Sequence, residues 1–246
     1  NNILSAVEES VHCLKNLNSV MMVSTDKACA PANVYGMCKS ISERIVTSYC
    51  KYPNLSHIKF INTRYGNVLD SRGSILPLFR HQITQDAYLT VTHPDMTRFL
   101  MTLDDSVDLI IHAHDNGDSG DTWIPKLKSM KIIDMANLFA KRYNKPIEIT
   151  GIRPGEKMHE SLVSHSESIR THEKENHYVI KPSYSDSVHD NIFEYNSAQD
   201  IFSLEGLQYY LNGLNLLEKE IEDFPRRRSA RHLPEGKKNF MRRLKA

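Results

Sequence analysis

The chain has 246 residues, of which 40% are hydrophobic and 25% are charged, with 31 Lys and Arg against 30 Asp and Glu. This balance is typical of a soluble globular protein and excludes a disordered or collagen-like chain. No uninterrupted run of about 18 apolar residues and no charged-then-apolar leader occurs, so we expect neither a membrane span nor secretion. The sequence therefore predicts a cytoplasmic protein with a sizeable core.

The charges are unevenly distributed along the chain. Residues 226–246 hold nine Lys or Arg and one Glu, which leaves 22 basic against 29 acidic residues elsewhere. A basic terminus of this kind is typically solvated, and we predict a disordered tail over 218–246. Because neither interleaved aromatic residues nor a folded motif accompanies the tail, it does not favour nucleic acid as a partner.

The cysteines and histidines show no metal-binding pattern. The four cysteines, Cys13, Cys29, Cys38 and Cys50, form no C-x-x-C pair and have no histidines at matching spacing. The 12 histidines likewise show no ligand-like grouping. Free thiols without a secretory signal fit a reduced compartment, and we predict no metal site.

The first third of the chain alternates between apolar runs and helical patterns. Periodic apolar residues predict helices over 1–18, 34–51 and 74–83, and short apolar runs predict buried strands over 19–24 and 57–62. On the second helix, the predicted inward-facing residues are Ile41, Ile45, Val46 and Tyr49. Successive strand–loop–helix units of this kind are typical of a parallel α/β sheet.

After residue 85 the pattern becomes mixed. Short strands are predicted over 88–91, 98–102, 122–125 and 147–152, with helices over 104–114, 130–143 and 204–217. Residues 164–200 are polar, and we predict irregular structure there. The chain contains no internal repeat.

The densest group of reactive side chains follows the first predicted strand. Tyr35 and Lys39 lie four residues apart at the start of a helix, so both side chains lie on one face. The pKa of a phenol is roughly 10, and an ammonium group one turn away lowers it, which would make Tyr35 a base. A half-buried tyrosine beside a surface lysine is the alternative. The position after a strand favours function, because parallel sheets have their active sites there.

Four ordered blocks of residues resemble one family. The first block is Thr25-Asp26-Lys27-Ala28 with Pro31, Asn33, Tyr35-Gly36 and Lys39. The others are Arg64-Tyr65-Gly66-Asn67-Val68 with Ser71-Arg72-Gly73-Ser74 and Pro77-Leu78-Phe79, then Thr90-x-Thr92-x-x-x-Met96-Thr97-Arg98-Phe99, and Ile152-Arg153-Pro154-Gly155-Glu156-Lys157-x-His159-Glu160. Together they resemble the extended short-chain dehydrogenase/reductases of polysaccharide (capsule) biosynthesis that act on UDP-sugars, above all the inverting UDP-N-acetylglucosamine 4,6-dehydratases.

The resemblance implies an α/β fold with two domains. A partial Rossmann-like domain, a doubly wound parallel sheet with the catalytic Tyr and Lys, would span 1–85. A smaller α/β domain for the UDP-sugar would span 86–217, with some segments returning to the Rossmann sheet. The family's G-x-x-G-x-x-G turn is absent, since no glycine precedes Gly36. We therefore expect a fragment without a complete cofactor site, in which the choice between NAD and NADP stays open.

The resemblance also implies catalytic roles. Tyr35, supported by Lys39 and with Thr25 bonded to the same oxygen, would take the proton of the sugar 4-hydroxyl during oxidation. Lys27 would then remove the C5 proton, with a pKa lowered by burial and cationic neighbours. Asp26 would protonate the leaving 6-hydroxyl. The alternative for Asp26 and Lys27 is an exposed ion pair, worth about 0–1 kcal/mol.

Binding residues are implied in the same way. The nicotinamide cofactor would contact Ser24, Tyr35, Lys39, Tyr65, Gly66, Asn67 and Val68, and the UDP-sugar would contact Asn67, Ser74, Arg98, Arg153 and Glu156. Arg98 and Arg153 would bind the diphosphate, because a guanidinium fork matches phosphate oxygens, although each could instead form a structural salt bridge. The expected partners are the UDP-sugar and further copies of the chain.

Two other functions stay open at this point. A UDP-sugar 4-epimerase needs the Tyr–Lys pair without the Asp–Lys pair. A non-catalytic remnant or interaction module would keep the motifs without the activity.

Overall fold

The computed structural model describes residues 2–186 and 188–217, so the predicted basic tail over 218–246 lies outside the described residues. The α-helices are α1 (Asn2–Glu9), α2 (Val34–Tyr49), α3 (Ile75–Thr84), α4 (Leu103–Asn116), α5 (Ile132–Tyr143), α6 (His165–Ser168) and α7 (Leu204–Gly213). The β-strands are β1 (Ser19–Val23), β2 (Lys59–Thr63), β3 (Asn67–Val68), β4 (Leu89–Val91), β5 (Thr97–Met101), β6 (Thr122–Pro125), β7 (Ser129–Lys131), β8 (Ile147–Ile149), β9 (Ser161–Val163), β10 (Thr171–Glu173), β11 (His177–Ile180) and β12 (Tyr195–Asn196). Within the described part, no helix has both the length and the apolar character needed to cross a bilayer.

The main sheet has the strand order β1-β2-β6-β11-β10. β1, β2 and β6 run parallel, whereas β11 and β10 are added in antiparallel orientation. Successive residues of a strand point to opposite faces. Phe60 accordingly packs with Val7 of α1 and Val46 of α2, while Ile61 packs on the other face with Leu109 of α4. Helices therefore cover both faces, and the predicted α/β fold with a doubly wound, Rossmann-like sheet is confirmed.

A second group of short strands adjoins the carboxyl ends of β1 and β2. β3 follows β2 after a short loop and pairs with β5, which also pairs with β7, while β4 pairs in parallel with β8. Helices α3, α5 and α7 enclose a large apolar cluster beside these strands, in which the rings of Phe79 and Phe139 lie 5.8 Å apart.

The first helix is shorter than predicted. It ends at Glu9 and is followed by tight turns, in which the N–H of Cys13 donates to the carbonyl of Ser10 at 2.8 Å and that of Leu17 donates to Leu14 at 3.0 Å. Leu14 and Leu17 nevertheless pack against the apolar cluster of α1 and α2. The apolar spacing over 1–18 therefore predicted correctly which residues pack inward, but it did not predict that the helix ends at Glu9.

The inward position predicted for Ile41 is wrong. Its side chain is 59% exposed, and the buried residues of α2 are Gly36, Glu43 and Val46. Ile45 and Tyr49 pack against the core as predicted. A glutamate occupies the inner face because an arginine from the loop after β2 neutralises it, which an apolar pattern does not indicate.

The prediction of irregular structure over 164–200 is also wrong. α6, β10, β11 and β12 all lie in this segment. β11 pairs with β6 from His177 opposite Pro125 to Ile180 opposite Thr122. The pairing depends on a strand about 50 residues earlier in the chain, and strand formation is decided by such neighbours more than by local pattern.

Candidate active site

The candidate site lies where the loops after β1 and β2 meet. The N–H of Ser24 donates to the carbonyl of Thr63 at 2.7 Å, and the N–H of Asp26 donates to that of Tyr65 at 3.0 Å. These bonds extend the parallel pairing beyond the strands and bring the two loops side by side. They border a cavity of about 530 Å³ whose lining includes Ser24, Thr25, Asp26, Lys27, Tyr35, Lys39, Tyr65, Gly66, Asn67, Val68 and Ser74. All the predicted catalytic and cofactor-binding residues therefore surround one space.

Side-chain caps fix the two segments that carry the catalytic candidates. Thr25 caps the single 3₁₀ turn Asp26–Ala28, because its hydroxyl accepts a hydrogen bond from the N–H of Lys27 at 3.4 Å. The same hydroxyl donates to Asp26 Oδ1 at 2.7 Å. Asn33 caps α2 by accepting from the N–H of Gly36 at 2.9 Å. Such caps satisfy the otherwise unpaired amides of a helix start.

Gly36 allows the two capped segments to touch. A Cβ atom at this position would overlap the carbonyl oxygen of Lys27 and crowd Pro31. The glycine between Tyr35 and Lys39 is therefore required for the close approach of α2 to the turn that carries Lys27. This contact fixes the distance between the two reactive pairs.

Tyr35 and Lys39 occupy the open side of the cavity. The Lys39 ammonium donates to the carbonyl of Val23 at 3.0 Å, which holds it at the end of β1. The Tyr35 side chain is 55% exposed. Burial, reinforced by the nearby phenol of Tyr35, raises the pKa of Tyr65, although a hydrogen bond with Ser106 opposes the shift. Tyr65 is therefore held as a neutral phenol.

Asp26 and Lys27 form a largely enclosed ion pair on the opposite side. Asp26 is 1% exposed, and its Oδ1 lies 3.0 Å from Lys27 Nζ. Glu160 Oε1 is 3.5 Å from the same Nζ. Burial lowers the pKa of Lys27, but the carboxylates of Asp26 and Glu160 together raise it further, so the net shift is upward. The predicted lowering of this pKa is wrong, because the nearest charges are anions.

Several buried polar atoms of this region have no hydrogen-bond partner among the described residues. They are Ser24 Oγ, Asp26 Oδ2, Asn67 Oδ1, Ser74 Oγ and Glu160 Oε2. Leaving one such atom unsatisfied costs about 1–3 kcal/mol. Ser24, Asp26, Asn67 and Ser74 all line the first cavity, so these polar groups are available to a bound molecule there.

A second cavity of about 200 Å³ adjoins the first and shares part of its lining. It contains all the predicted substrate-binding residues, namely Asn67, Ser74, Arg98, Arg153 and Glu156, over an apolar floor that includes Val91, Met96 and Leu100. The exposed Arg153 has its backbone N–H bonded to Glu156 Oε2 at 3.1 Å, which leaves its guanidinium at the opening.

Arg98 already has partners inside the protein. Its Nη1 donates to the carbonyl of Thr97 at 2.7 Å and to that of Met158 at 3.3 Å, and its Nε lies 4.0 Å from Glu160. The guanidinium thus joins β5 to the loop that carries Glu160 while also lining the second cavity. The structural role weighed for Arg98 is therefore present, and its contact with the diphosphate stays a prediction.

Two groups of residues were missed by the sequence predictions. Glu160 and Lys157 reach the active-site turn, since Lys157 Nζ donates to the carbonyl of Cys29 at 2.7 Å. Both stand in a block that resembles the family, so a signal was present. The second group is a buried triad in which Arg64 Nη2 lies 2.6 Å from Glu43 Oε2 and 3.0 Å from Glu167 Oε1. Glu43 and Glu167 gave no local signal.

The triad links α2, the loop after β2 and α6. Arg64 is 2% exposed, and burial lowers its pKa while the two carboxylates raise it well above the ordinary value. Burial raises the pKa of Glu167, but Arg64 outweighs this and brings it down to about 2. Arg64 directly precedes Tyr65, so this charge network anchors the loop that contributes Tyr65, Gly66 and Asn67 to the cavity.

The α/β fold fits the family predicted from the sequence. The family model described as polysaccharide biosynthesis protein matches residues 1–182, and the chain belongs to that family. The predicted family is therefore confirmed.

Relatives with two different reactions match the chain equally well. The inverting UDP-N-acetylglucosamine 4,6-dehydratase of Campylobacter jejuni is 39% identical over 187 residues, which cover 75% of this chain and 55% of the relative. The UDP-glucose 4-epimerase of Rickettsia rickettsii is 39% identical over 181 residues, covering 73% and 52%. The chain is thus related to nucleotide-sugar dehydratases and epimerases, and it spans about half the length of these relatives.

A solved structure shares the fold. The dTDP-glucose 4,6-dehydratase of Bacillus anthracis, solved in complex with NAD, superposes with a TM-score of 0.52 at 17% identity, covering 62% of this chain and 54% of that one. At this identity the likeness concerns the fold alone.

Proposed function

We propose that this chain carries the catalytic and UDP-sugar-binding parts of an inverting UDP-N-acetylglucosamine 4,6-dehydratase. The observation that carries the proposal is the ion pair of the buried Asp26 with Lys27, in the lining of the cavity that also contains Tyr35 and Lys39. An epimerase needs only the second pair. An acid and a base held 3.0 Å apart are the groups that an elimination requires.

The residues fit a nicotinamide cofactor, NADP or NAD, at the first cavity. Ser24 Oγ and Asn67 Oδ1 are buried without partners there, and Tyr65, Gly66 and Val68 complete the wall with Tyr35 and Lys39. When bound, the cofactor supplies the oxidation and reduction by accepting a hydride from the sugar and returning it. In this proposal, residues 1–85 provide the catalytic pair, and much of 86–217 provides the sugar-nucleotide site.

We assign the oxidation at C4 to Tyr35, Thr25 and Lys39. Tyr35 takes the proton of the 4-hydroxyl, and Thr25 bonds the same oxygen. Lys39, anchored on Val23, holds its positive charge beside the phenolate that forms. The 4-ketone then acidifies the hydrogen on C5.

We assign the elimination to Asp26 and Lys27. As folded, the pair holds a proton on Lys27 and a charge on Asp26, whereas the reaction needs a neutral amine and a carboxylic acid. One proton moving from Lys27 Nζ to Asp26 Oδ1, across 3.0 Å, generates both groups without an outside donor. Lys27 then takes the C5 proton, and Asp26 gives its proton to the departing 6-hydroxyl. Reprotonation of C5 from the opposite face, together with the hydride that a bound nicotinamide cofactor would return to C6, would give the inverted 4-keto-6-deoxy sugar.

The test is to incubate the full-length protein with UDP-N-acetylglucosamine and follow the products by NMR. A 4-keto-6-deoxy product with an inverted C5 is expected. A product changed only at C4 would overturn the proposal in favour of the epimerase, which the Rickettsia relative supports as the second candidate. Absence of any product would favour a non-catalytic remnant.

A further inference from the structure

Glu160 is the centre of a charge cluster next to the elimination pair. The residue is 4% exposed, and three cationic groups surround its carboxylate. Oε1 lies 3.5 Å from Lys27 Nζ and 4.0 Å from Arg98 Nε, and Oε2 lies 3.8 Å from Lys157 Nζ. We call these four residues the Glu160 cluster.

The backbone of Glu160 is fixed from the side opposite Lys27. Its N–H donates to Ser197 Oγ at 3.0 Å, and its carbonyl accepts from the N–H of Ser197 at 2.8 Å. Ser197 Oγ is in turn 2.7 Å from Thr97 Oγ1, which also contacts His159 Nδ1 at 2.8 Å. Hydrogen bonds to Ser197 therefore hold the backbone of Glu160 in place without a contribution from Lys27.

The other two cations are held by backbone carbonyls from different segments. Arg98 donates to Thr97 and Met158, and Lys157 donates to Cys29. Among the described residues, the Lys27 ammonium donates a hydrogen bond only to Asp26. Without Glu160, the positive charges of Arg98 and Lys157 would repel Lys27. The Asp26 carboxylate would then be the one negative charge in this group of residues.

We propose that Glu160 is a positioning residue of the elimination step, which holds the Lys27 amine against Asp26 by neutralising Arg98 and Lys157. The inference rests on the proposed function for its catalytic meaning. The electrostatic coupling between Glu160 and Lys27 does not depend on the proposed function. Asp26, Arg98, Lys157 and the imidazole of His159 are the other charged or titratable groups around this position.

The first test measures the coupling without substrate. Lysines of the purified protein are reductively methylated with ¹³C-formaldehyde, and the Lys27 signal is identified by its loss in Lys27→Arg. In Glu160→Gln the NMR titration midpoint of Lys27 should fall by about one pH unit or more, because a carboxylate near an amine favours its charged form. Glu160→Asp should restore part of the shift, and the surface control Glu173→Gln should leave the midpoint unchanged. An unchanged midpoint in Glu160→Gln overturns the inference.

The second test measures the chemistry in the full-length protein. Exchange of the C5 hydrogen with solvent deuterium should fall at least tenfold in Glu160→Gln, with the alkaline limb of its pH profile at lower pH, while oxidation at C4 is retained. If the wild-type protein exchanges C5 and Glu160→Gln matches it at every pH, the positioning role fails and the proposed function stands. If the wild type neither exchanges C5 nor eliminates water, both fail.

Discussion

The two sides of the active-site cavity are built in different ways. The proposed oxidation side consists of the exposed Tyr35 and the half-buried Lys39, and it is held by one helix and the end of one strand. The proposed elimination side pairs the buried Asp26 with Lys27, whose side chain is 32% exposed, and it includes a contact with Glu160, which lies more than 130 residues further along the chain. Helical spacing alone places the Tyr35 phenol and the Lys39 ammonium group on one face. An ion pair with a buried partner, such as that of Asp26 and Lys27, requires charges from other segments to be stable.

The largest expected effect separates the two sides chemically. Lys27→Ala should abolish exchange of the C5 hydrogen with solvent deuterium, a loss of about 100- to 10,000-fold, because it removes the proposed base. Oxidation at C4 should persist, since Tyr35 and Lys39 are unchanged. NMR of the sugar in deuterated buffer measures the exchange, and the surface variant Lys126→Ala is the control. Unchanged exchange would show that another group is the base.

The next effect concerns the triad that supports the loop between the two sides. Arg64→Met should lower the free energy of unfolding by about 3–5 kcal/mol, because Glu43 and Glu167 would be left buried without their cation. Urea unfolding followed by circular dichroism measures this. Arg142→Met, at an exposed position of α5, should change stability by no more than about 0.5 kcal/mol. Equal losses in the two variants would contradict a structural role for the triad.

The triad should also give the fold an acid-sensitive component. The pKa of Glu167 falls from 4.5 to about 2 on folding, so its contribution is fully present above pH 4.5 and is lost as the pH drops through about 2. The stability difference between wild type and Glu167→Gln should therefore shrink by up to about 3 kcal/mol between pH 6 and pH 2. Urea unfolding at a series of pH values measures it, and a difference independent of pH would contradict the assignment.

Local sequence pattern predicts that Tyr35 and Lys39 share one helix face, but it does not predict which charges surround Asp26 and Lys27. Tyr35 and Lys39 are related by helical spacing, and the strands before them are short apolar runs, so local pattern predicts both. The upward pKa shift of Lys27 arises from Glu160, and the burial of Glu43 arises from Arg64 and Glu167. Pattern along the chain does not show which distant charges meet. For the same reason Ile41 was placed inside and β11 was missed.

The smallest expected effect is at the contact between the two sides. Gly36→Ala would push the Lys27 carbonyl away from α2, and overpacking of this kind costs about 1–3 kcal/mol. Gly213 lies in α7 with no atom close to the added Cβ, so Gly213→Ala should be neutral or stabilising by up to about 1 kcal/mol. Thermal unfolding compares the two variants. Unlike Lys27→Ala, Gly36→Ala should reduce C4 oxidation and C5 exchange together, because it moves the Tyr35 helix relative to the Lys27 turn. If it impaired only one of the two steps, the sides would be positioned independently, and the glycine would serve only to let the helix begin.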